Sequence, residues 1–492
     1  MKSGPRLLIS RNVSTGAKMD RRYFIKATAA ETVALGMSAC ALPLRPKGRP
    51  VLSQAHVMTA APLQYQPRAG LTVTGLGYNG RVPGPVLQIE QGAQLNVQFR
   101  NRTGSPSTIH WHGLILPNDM DGVPGVTQAV VPDGADFHYH FRAEPAGTRW
   151  YHSHVSPQLA QGLFGALIIH EPGTPSVARD LVLVLHDIPD WRSYRAAMAG
   201  TSTAMPYQPP GVPGAMAAMP GMSMPMVMGD EVRYRAHCLN GRAVPSRVAV
   251  QEDDVVRMRL INASPTETRY LRLAGHPLTI THTDGNLLSQ SCEVDVLRLA
   301  PAERLDVVFR VAGPGAFMFA GLTDPDTLGE QAIVFYTPGH ATTAPQIPVE
   351  QLSGARIFSY RETGGRGVPQ PPPAGALNRS LRLGQRGRYW TIDHEVWPKT
   401  PRLRPARGQT VRLHFRNSTD MDHPMHLHGH RFELLAVNGD WLQRPLPKDT
   451  ALVPAHGSAD WQFVANEYSG RWLLHCHNEI HMMDGMSMEV DY

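Results

Sequence analysis

At 492 residues the chain is too long for one hydrophobic core and too short for an extended repeat array. Hydrophobic residues at 42%, charged residues at 18%, and 45 Gly with 43 Pro exclude a disordered chain and a helical bundle, and predict a turn-rich all-β protein of about three domains. The net charge of +6 does not mark a nucleic-acid binder: seven Lys/Arg fall in residues 1–41 against Asp20 and Glu31, and the remainder carries 40 basic and 39 acidic residues.

That basic start contains Arg21-Arg22-Tyr23-Phe24-Ile25-Lys26, followed by the short apolar run Val33-Ala34-Leu35-Gly36-Met37. The order predicts an export signal of the twin-arginine type over residues 1–41 and a periplasmic protein without a permanent transmembrane helix. Met37-Ser38-Ala39-Cys40 offers a weak lipid-anchor motif at Cys40, and Glu31, just before the run, favours the competing reading, a basic tail.

Three later segments align without gaps: Leu95 to Thr103, Val256 to Ser264 and Val411 to Thr419, each alternating apolar and polar residues before a turn at Asn101, Asn262 or Asn417. Period-two alternation closed by Asn and Ser/Thr predicts three homologous domains whose sheets pack face to face, at 54–174, 175–345 and 377–492, with a linker over 346–376 marked by Pro371-Pro372-Pro373. Cys238 and Cys292 both fall in the middle domain, where an oxidising compartment leaves disulfide and free thiols as open alternatives.

Histidines at i and i+2 of a strand point to one side and offer two imidazoles to one metal cluster. Twenty-three histidines placed at random would form about one such pair, and the chain has six: 110/112, 138/140, 152/154, 426/428, 428/430 and 475/477. The pair His138 and His140 lacks any metal-like context and is read as solvent-facing. The rest fall in the first and third repeats, which places the chemistry between the outer domains.

In His475-Cys476-His477 the imidazoles point one way along a strand and the thiolate the other, so Cys476 serves a different metal from its neighbours. A thiolate with two imidazoles and a weak thioether is the ligand set of a blue-copper centre, and His423, His481 and Met486 have the spacing to complete it. Zinc, the alternative, favours a closed tetrahedral set and gains nothing from a second wired site.

Taken together, His110-Trp111-His112-Gly113, Trp150-Tyr151-His152-Ser153-His154, His423-Pro424-Met425-His426-Leu427-His428-Gly429 and the run from His475 to Met486 resemble the four copper motifs of the multicopper oxidases, laccases and copper-resistance cuprous oxidases among them. The resemblance implies three tandem cupredoxin-like Greek-key β-sandwiches and four copper ions. It implies a type 1 copper on His423, Cys476, His481 and Met486, a type 2 copper on His110 and His426, and a type 3 pair on His112, His152, His154, His428, His475 and His477. Four one-electron oxidations at the type 1 site would then reduce dioxygen to water at the three-copper cluster, with Cys476 as the link. Asp121 and Glu479 match acidic positions that deliver protons in laccase-like members.

The donor is the remaining question. Met198 to Met228 holds eight methionines among Pro and Gly, including Met219, Met222, Met224, Met226 and Met228, a composition that core packing does not explain and that selects Cu(I). Asp420, Met421 and Asp422, beside His423, are read as a docking point for Cu(I). The sequence is read as a monomeric cuprous oxidase. A laccase acting on phenols or aromatic amines is the alternative, and a periplasmic copper store is the reading of a different class.

Overall fold

The computed structural model describes residues 53–173, 176–200, 232–322, 329–348 and 354–492. The expected signal over 1–41 with Cys40, and Met219, Met222, Met224, Met226 and Met228, lie outside the described residues. No helix among the described residues is long and apolar enough to cross a membrane.

The three aligned segments are strands, Gln94–Asn101, Val255–Asn262 and Thr410–Asn417. Their alternating apolar residues (Leu95, Val97 and Phe99; Val256, Met258 and Leu260; Val411, Leu413 and Phe415) are buried, each burial contributing about 1.5–3 kcal/mol. The closing asparagine acts alike in all three. Asn101 donates to the carbonyls of Ser105 and Val131, Asn262 to those of Glu267 and Leu299, and Asn417 to those of Met421 and Val453. Each also accepts from the amide two residues on, at Thr103, Ser264 and Thr419, so one side chain ends the strand and shapes its turn.

Around these strands the chain builds three β-sandwiches of cupredoxin-like type. In each, the central strand pairs in parallel with an earlier one (Ser53–Arg68, Arg179–Pro189 or Leu377–Arg386) and antiparallel with a later one (Asp136–Arg142, Arg304–Arg310 or Ser458–Val464). His138 and His140 lie exposed on Asp136–Arg142, stacked on each other.

The opposing sheets carry the chemistry. They pair His110–His112 with Gly147–His152 in the first sandwich, Arg269–Leu273 with Ala316–Gly321 in the second, and His423–Leu427 with Arg471–Cys476 in the third. Their registers correspond: His110 faces His152, Leu271 faces Gly321, and His426 faces His475. Where the outer domains hold histidines, the middle one holds Leu271 and Leu273, both in its core. Its own His276 is a packing residue, stacked edge-on against Phe317 at 4.4 Å.

Residues 354–376, inside the stretch expected as a linker, hold the short helix Tyr360–Gly364, and Arg366 bridges to Leu442. Cys238 and Cys292 are free. They occupy opposite edge strands of one six-stranded sheet, Tyr234–Leu239 and Asn286–Val294, roughly 24 Å apart at ordinary strand spacing.

Candidate metal centre

The antiparallel pair His423–Leu427 and Arg471–Cys476 feeds two sites at once. On one side, His423 Nδ1, His481 Nδ1 and Cys476 Sγ form a triangle with sides of 3.0, 3.5 and 3.7 Å. Its centre lies roughly 2 Å from each corner, an ordinary transition-metal bond length to nitrogen. His481 reaches this point because Asn478 caps the helix Glu479–Met483, its side chain accepting from the Ile480 and His481 amides. Met486 is fully buried, and its main chain bonds to both Cys476 and His481.

On the other side, eight imidazoles converge. Their donor atoms group as His112, His152 and His477; as His154, His428 and His475; and as His110 and His426 with His112, each group lying within 4.8 Å. His428 Nε2 and His475 Nε2 face each other at 3.0 Å. The register places His475 opposite His426, both in the eight-histidine cluster, while the next residue, Cys476, belongs to the triangle. One peptide bond therefore joins the two sites.

The outer nitrogen of most of these rings is tied. His152 Nδ1 meets the Ser153 carbonyl, His475 Nδ1 that of Cys476, and His426 Nδ1 that of Asp449. Asp121 holds two rings, its carbonyl on His110 Nδ1 at 2.8 Å and its Oδ2 on His428 Nδ1 at 3.0 Å. His112 is reversed, with Nε2 on Asp449 Oδ1 at 3.1 Å and on Thr450 Oγ1 at 3.0 Å. Such ties fix ring orientation and leave His110 Nε2, His112 Nδ1, His152 Nε2 and His426 Nε2 buried without a protein partner, and His154 Nε2 is likewise unpartnered.

Burial holds His112, His152, His154, His426, His428, His477 and His481 well below the ordinary imidazole range, and lowers His475 to about 4 and His423 to about 3. The rings are therefore neutral near pH 7, with lone pairs available to a cation. Burial also pushes the Cys476 thiol up, and a bound cation reverses that shift by stabilising the thiolate. Unpartnered neutral imidazoles and one thiol fit copper.

Beneath the cluster lies a buried ionic junction between the three domains. Arg304 grips Asp449 with two parallel hydrogen bonds of 2.7 and 2.5 Å, and Arg149 approaches it at 3.5 Å. Lys448 lies 3.0 Å from Asp284 and 2.9 Å from Glu303. Gly113 shows how tight this is: its φ of +83° favours glycine, and a Cβ there would approach Asp449 Oδ2 to 2.5 Å. The sequence reading missed Asp449. The polar triplet Lys448-Asp449-Thr450, set in an apolar strand run, was the available signal.

Glu479 lies at the start of its helix, facing Tyr194 of the middle domain, whose hydroxyl donates to Oε2 at 2.7 Å. Burial raises its carboxyl to about 7. Beside the triangle is a cavity of about 610 Å³, lined by Asp420, Met421, Thr419, Trp390, Arg382 and Arg386 among others. Asp422 is instead engaged by Arg298 at 2.7 Å and by the Ala455 amide. The helix Trp191–Met198 packs on the Glu479–Met483 helix, since Tyr194 and Ala197 share a cluster with Ile480, and Val232 joins it where the described chain resumes. Gly200 closely approaches Arg388, where a Cβ would come within 2.7 Å of the Arg388 Cβ.

A cysteine-centred site joined by one peptide bond to an eight-histidine cluster, on cupredoxin-like sandwiches, defines an oxidase that uses copper. Comparison with known proteins agrees. Residues 59–174, 208–335 and 370–492 each match a sequence profile described as Multicopper oxidase. The chain is 30% identical to Multicopper oxidase MmcO of Mycobacterium tuberculosis over 99% of both chains. It is 25% identical to Copper resistance protein A homolog of Pseudomonas syringae pv. tomato, over 96% of this chain and 99% of that one. Among solved structures, the multi-copper oxidase of Pseudomonas thermotolerans superposes with a TM-score of 0.68 at 26% identity, covering 90% of this chain and 99% of the other. The chain belongs to the multicopper oxidase family and is an oxidoreductase.

Proposed function

We propose that the protein is a four-copper oxidase that takes single electrons from Cu(I) and passes them to dioxygen. The observation that carries this reading is the partition of the buried donors. His423, Cys476 and His481, with Met486, would hold a type 1 copper. The triads His112, His152, His477 and His154, His428, His475 would hold a type 3 pair, and His110 with His426 a type 2 ion. Copper held there supplies one-electron redox chemistry, ending in reduction of dioxygen to water.

The chain's own residues supply orientation, the electron link and protons. Cys476 and His475 are adjacent, so the covalent path between the two sites is as short as a chain allows. Asp121 touches two cluster rings and is fully buried, which suits it to hold a proton for the oxygen end. Glu479, poised near neutrality, has the character of a second donor. In the Asp121→Asn variant, reoxidation of the reduced protein by dioxygen should slow by about 10²-fold or more while reduction of the type 1 copper by substrate stays near the native rate. Stopped-flow absorbance separates these half-reactions, and equal loss of both would assign Asp121 a purely structural role.

Support for Cu(I) as donor comes from Asp420 and Met421, a carboxylate and a thioether lining the cavity beside the type 1 set. The described chain on either side of the methionine-rich segment also packs near the Glu479–Met483 helix, which carries His481. The copper-resistance name of the Pseudomonas syringae relative points the same way. Arg382 and Arg386 in the same cavity favour a second reading, an anionic phenol. Deleting residues 205–228 should lower kcat/KM for Cu(I) about tenfold and leave a phenol rate unchanged or higher. Parallel loss for both donors would overturn this part. A store would stop consuming oxygen once its bound copper had reacted, whereas an oxidase continues while donor lasts.

Residues 1–41 we read as a twin-arginine export signal and the mature protein as periplasmic. Arg21→Lys with Arg22→Lys should retain the protein in the cytoplasm on fractionation, and undiminished export would refute the reading.

A further inference from the structure

Both imidazoles of the cysteine-centred set are fully buried, His423 and His481 alike at 0% exposure. A donor in the adjoining cavity therefore touches neither. Among the described residues, two that line the cavity have side chains in contact with the set. Thr419 Oγ1 lies 2.9 Å from His423 Nε2, a contact through a saturated hydroxyl side chain. Trp390 offers an aromatic ring whose centroid lies 4.0 Å from that of His481 at an interplanar angle of 34°, and 5.2 Å from that of His423.

The position of Trp390 is held by the same loop that carries the ligands. Its amide bonds to the Asp484 carbonyl at 3.0 Å, between His481 and Met486 in the chain. A Cβ on Gly485 would lie 3.1 Å from the Trp390 carbonyl, so the loop and this residue are in close contact. Trp390 is 1% exposed and is among the residues that line the cavity, and its ring packs against the His481 imidazole. Electronic coupling through overlapping π systems falls off less steeply than through saturated groups.

We propose that Trp390 is the electron-entry residue of this oxidase: the donor docks against the cavity side of the indole, and its electron crosses that ring to His481. In each transfer the donor loses one electron and the type 1 copper gains it, Cu(II) becoming Cu(I), while Trp390 ends unchanged. A Cu(I) donor leaves as Cu(II), and a phenol also gives up its proton to solvent. The inference rests on the type 1 assignment but not on the identity of the natural donor.

The test uses Trp390→Leu and Trp390→Phe with ferrocyanide, an outer-sphere one-electron reductant that needs no thioether. An intact blue band and electron paramagnetic resonance signal in the full-length variants would show the metal set undisturbed. Anaerobic bleaching of that band should then slow tenfold or more in Trp390→Leu and recover largely in Trp390→Phe, with reoxidation by dioxygen native in both. A second readout needs no turnover. Titrating the copper-free protein with Hg(II), which binds thiolates and quenches a touching indole, should quench a fluorescence component that Trp390→Phe lacks. Native bleaching in Trp390→Leu, loss of the blue band in both variants, or an undiminished quenched component in Trp390→Phe would each overturn the proposal. Absence of a blue band in the native copper-loaded protein would instead refute the type 1 assignment.

Discussion

Changing Cys476 to Ser is expected to remove the visible absorption of the copper-loaded protein and its turnover together. The sulfur stands 3.5 and 3.7 Å from the two imidazole nitrogens, at the third corner of the triangle. Only a thiolate gives the intense sulfur-to-copper charge transfer that colours such a site, and an alkoxide is too hard and too weakly acidic to replace it. The substitution also removes the side chain that links the triangle to the backbone of His475 and His477. Copper analysis should show one ion fewer per chain, with the eight-histidine cluster still filled. An unchanged visible spectrum would exclude the proposed type 1 site.

Changing Asp449 to Ala should destabilise the copper-free protein by roughly 3–5 kcal/mol, the usual consequence of stranding a buried ionic partner. Burial alone would push the Asp449 carboxyl up, but Arg304 beside it overcomes that and holds it below the ordinary carboxylate range, so the native pair is charged. Without it, Arg304 and Arg149 keep their charge in a site with 0% and 1% exposure. His112 also loses one of the two oxygens that orient its Nε2 and keeps only Thr450 Oγ1. Chemical denaturation measures the first effect and copper uptake the second. Asp449→Asn, which retains one acceptor, should fall between. A native denaturation midpoint for the alanine variant would show that the junction adds nothing to stability.

What the sequence disclosed follows from the range of the interactions involved. The repeats were legible because alternation and the closing asparagine are local, and strands form at all three places. The ligand-type residues were legible because the i, i+2 geometry is written into neighbouring positions, and the structure gathers those residues into two sites. Asp449 and Trp390 were not, because each acquires its role from partners brought together only by folding: Arg304 and His112 in one case, His481 in the other. Asp422 shows the same limit in reverse. Its place beside His423 suggested a metal-docking group, and a distant arginine, Arg298, engages it. The free Cys238 and Cys292 were undecidable for the same reason, since sheet order alone sets them at opposite edges.

The leucines at 271 and 273 bear on how such a protein can be made. Because the middle repeat has no ligands there, the cluster draws on His110, His112, His152 and His154 from one end of the chain and His426, His428, His475 and His477 from the other. During synthesis the first four must wait for their partners until more than 300 further residues have emerged. No partly made chain can hold the complete cluster. The complete metal complement can thus be held only by a chain that has reached His477, and a product cut short before that residue should betray itself by an incomplete complement.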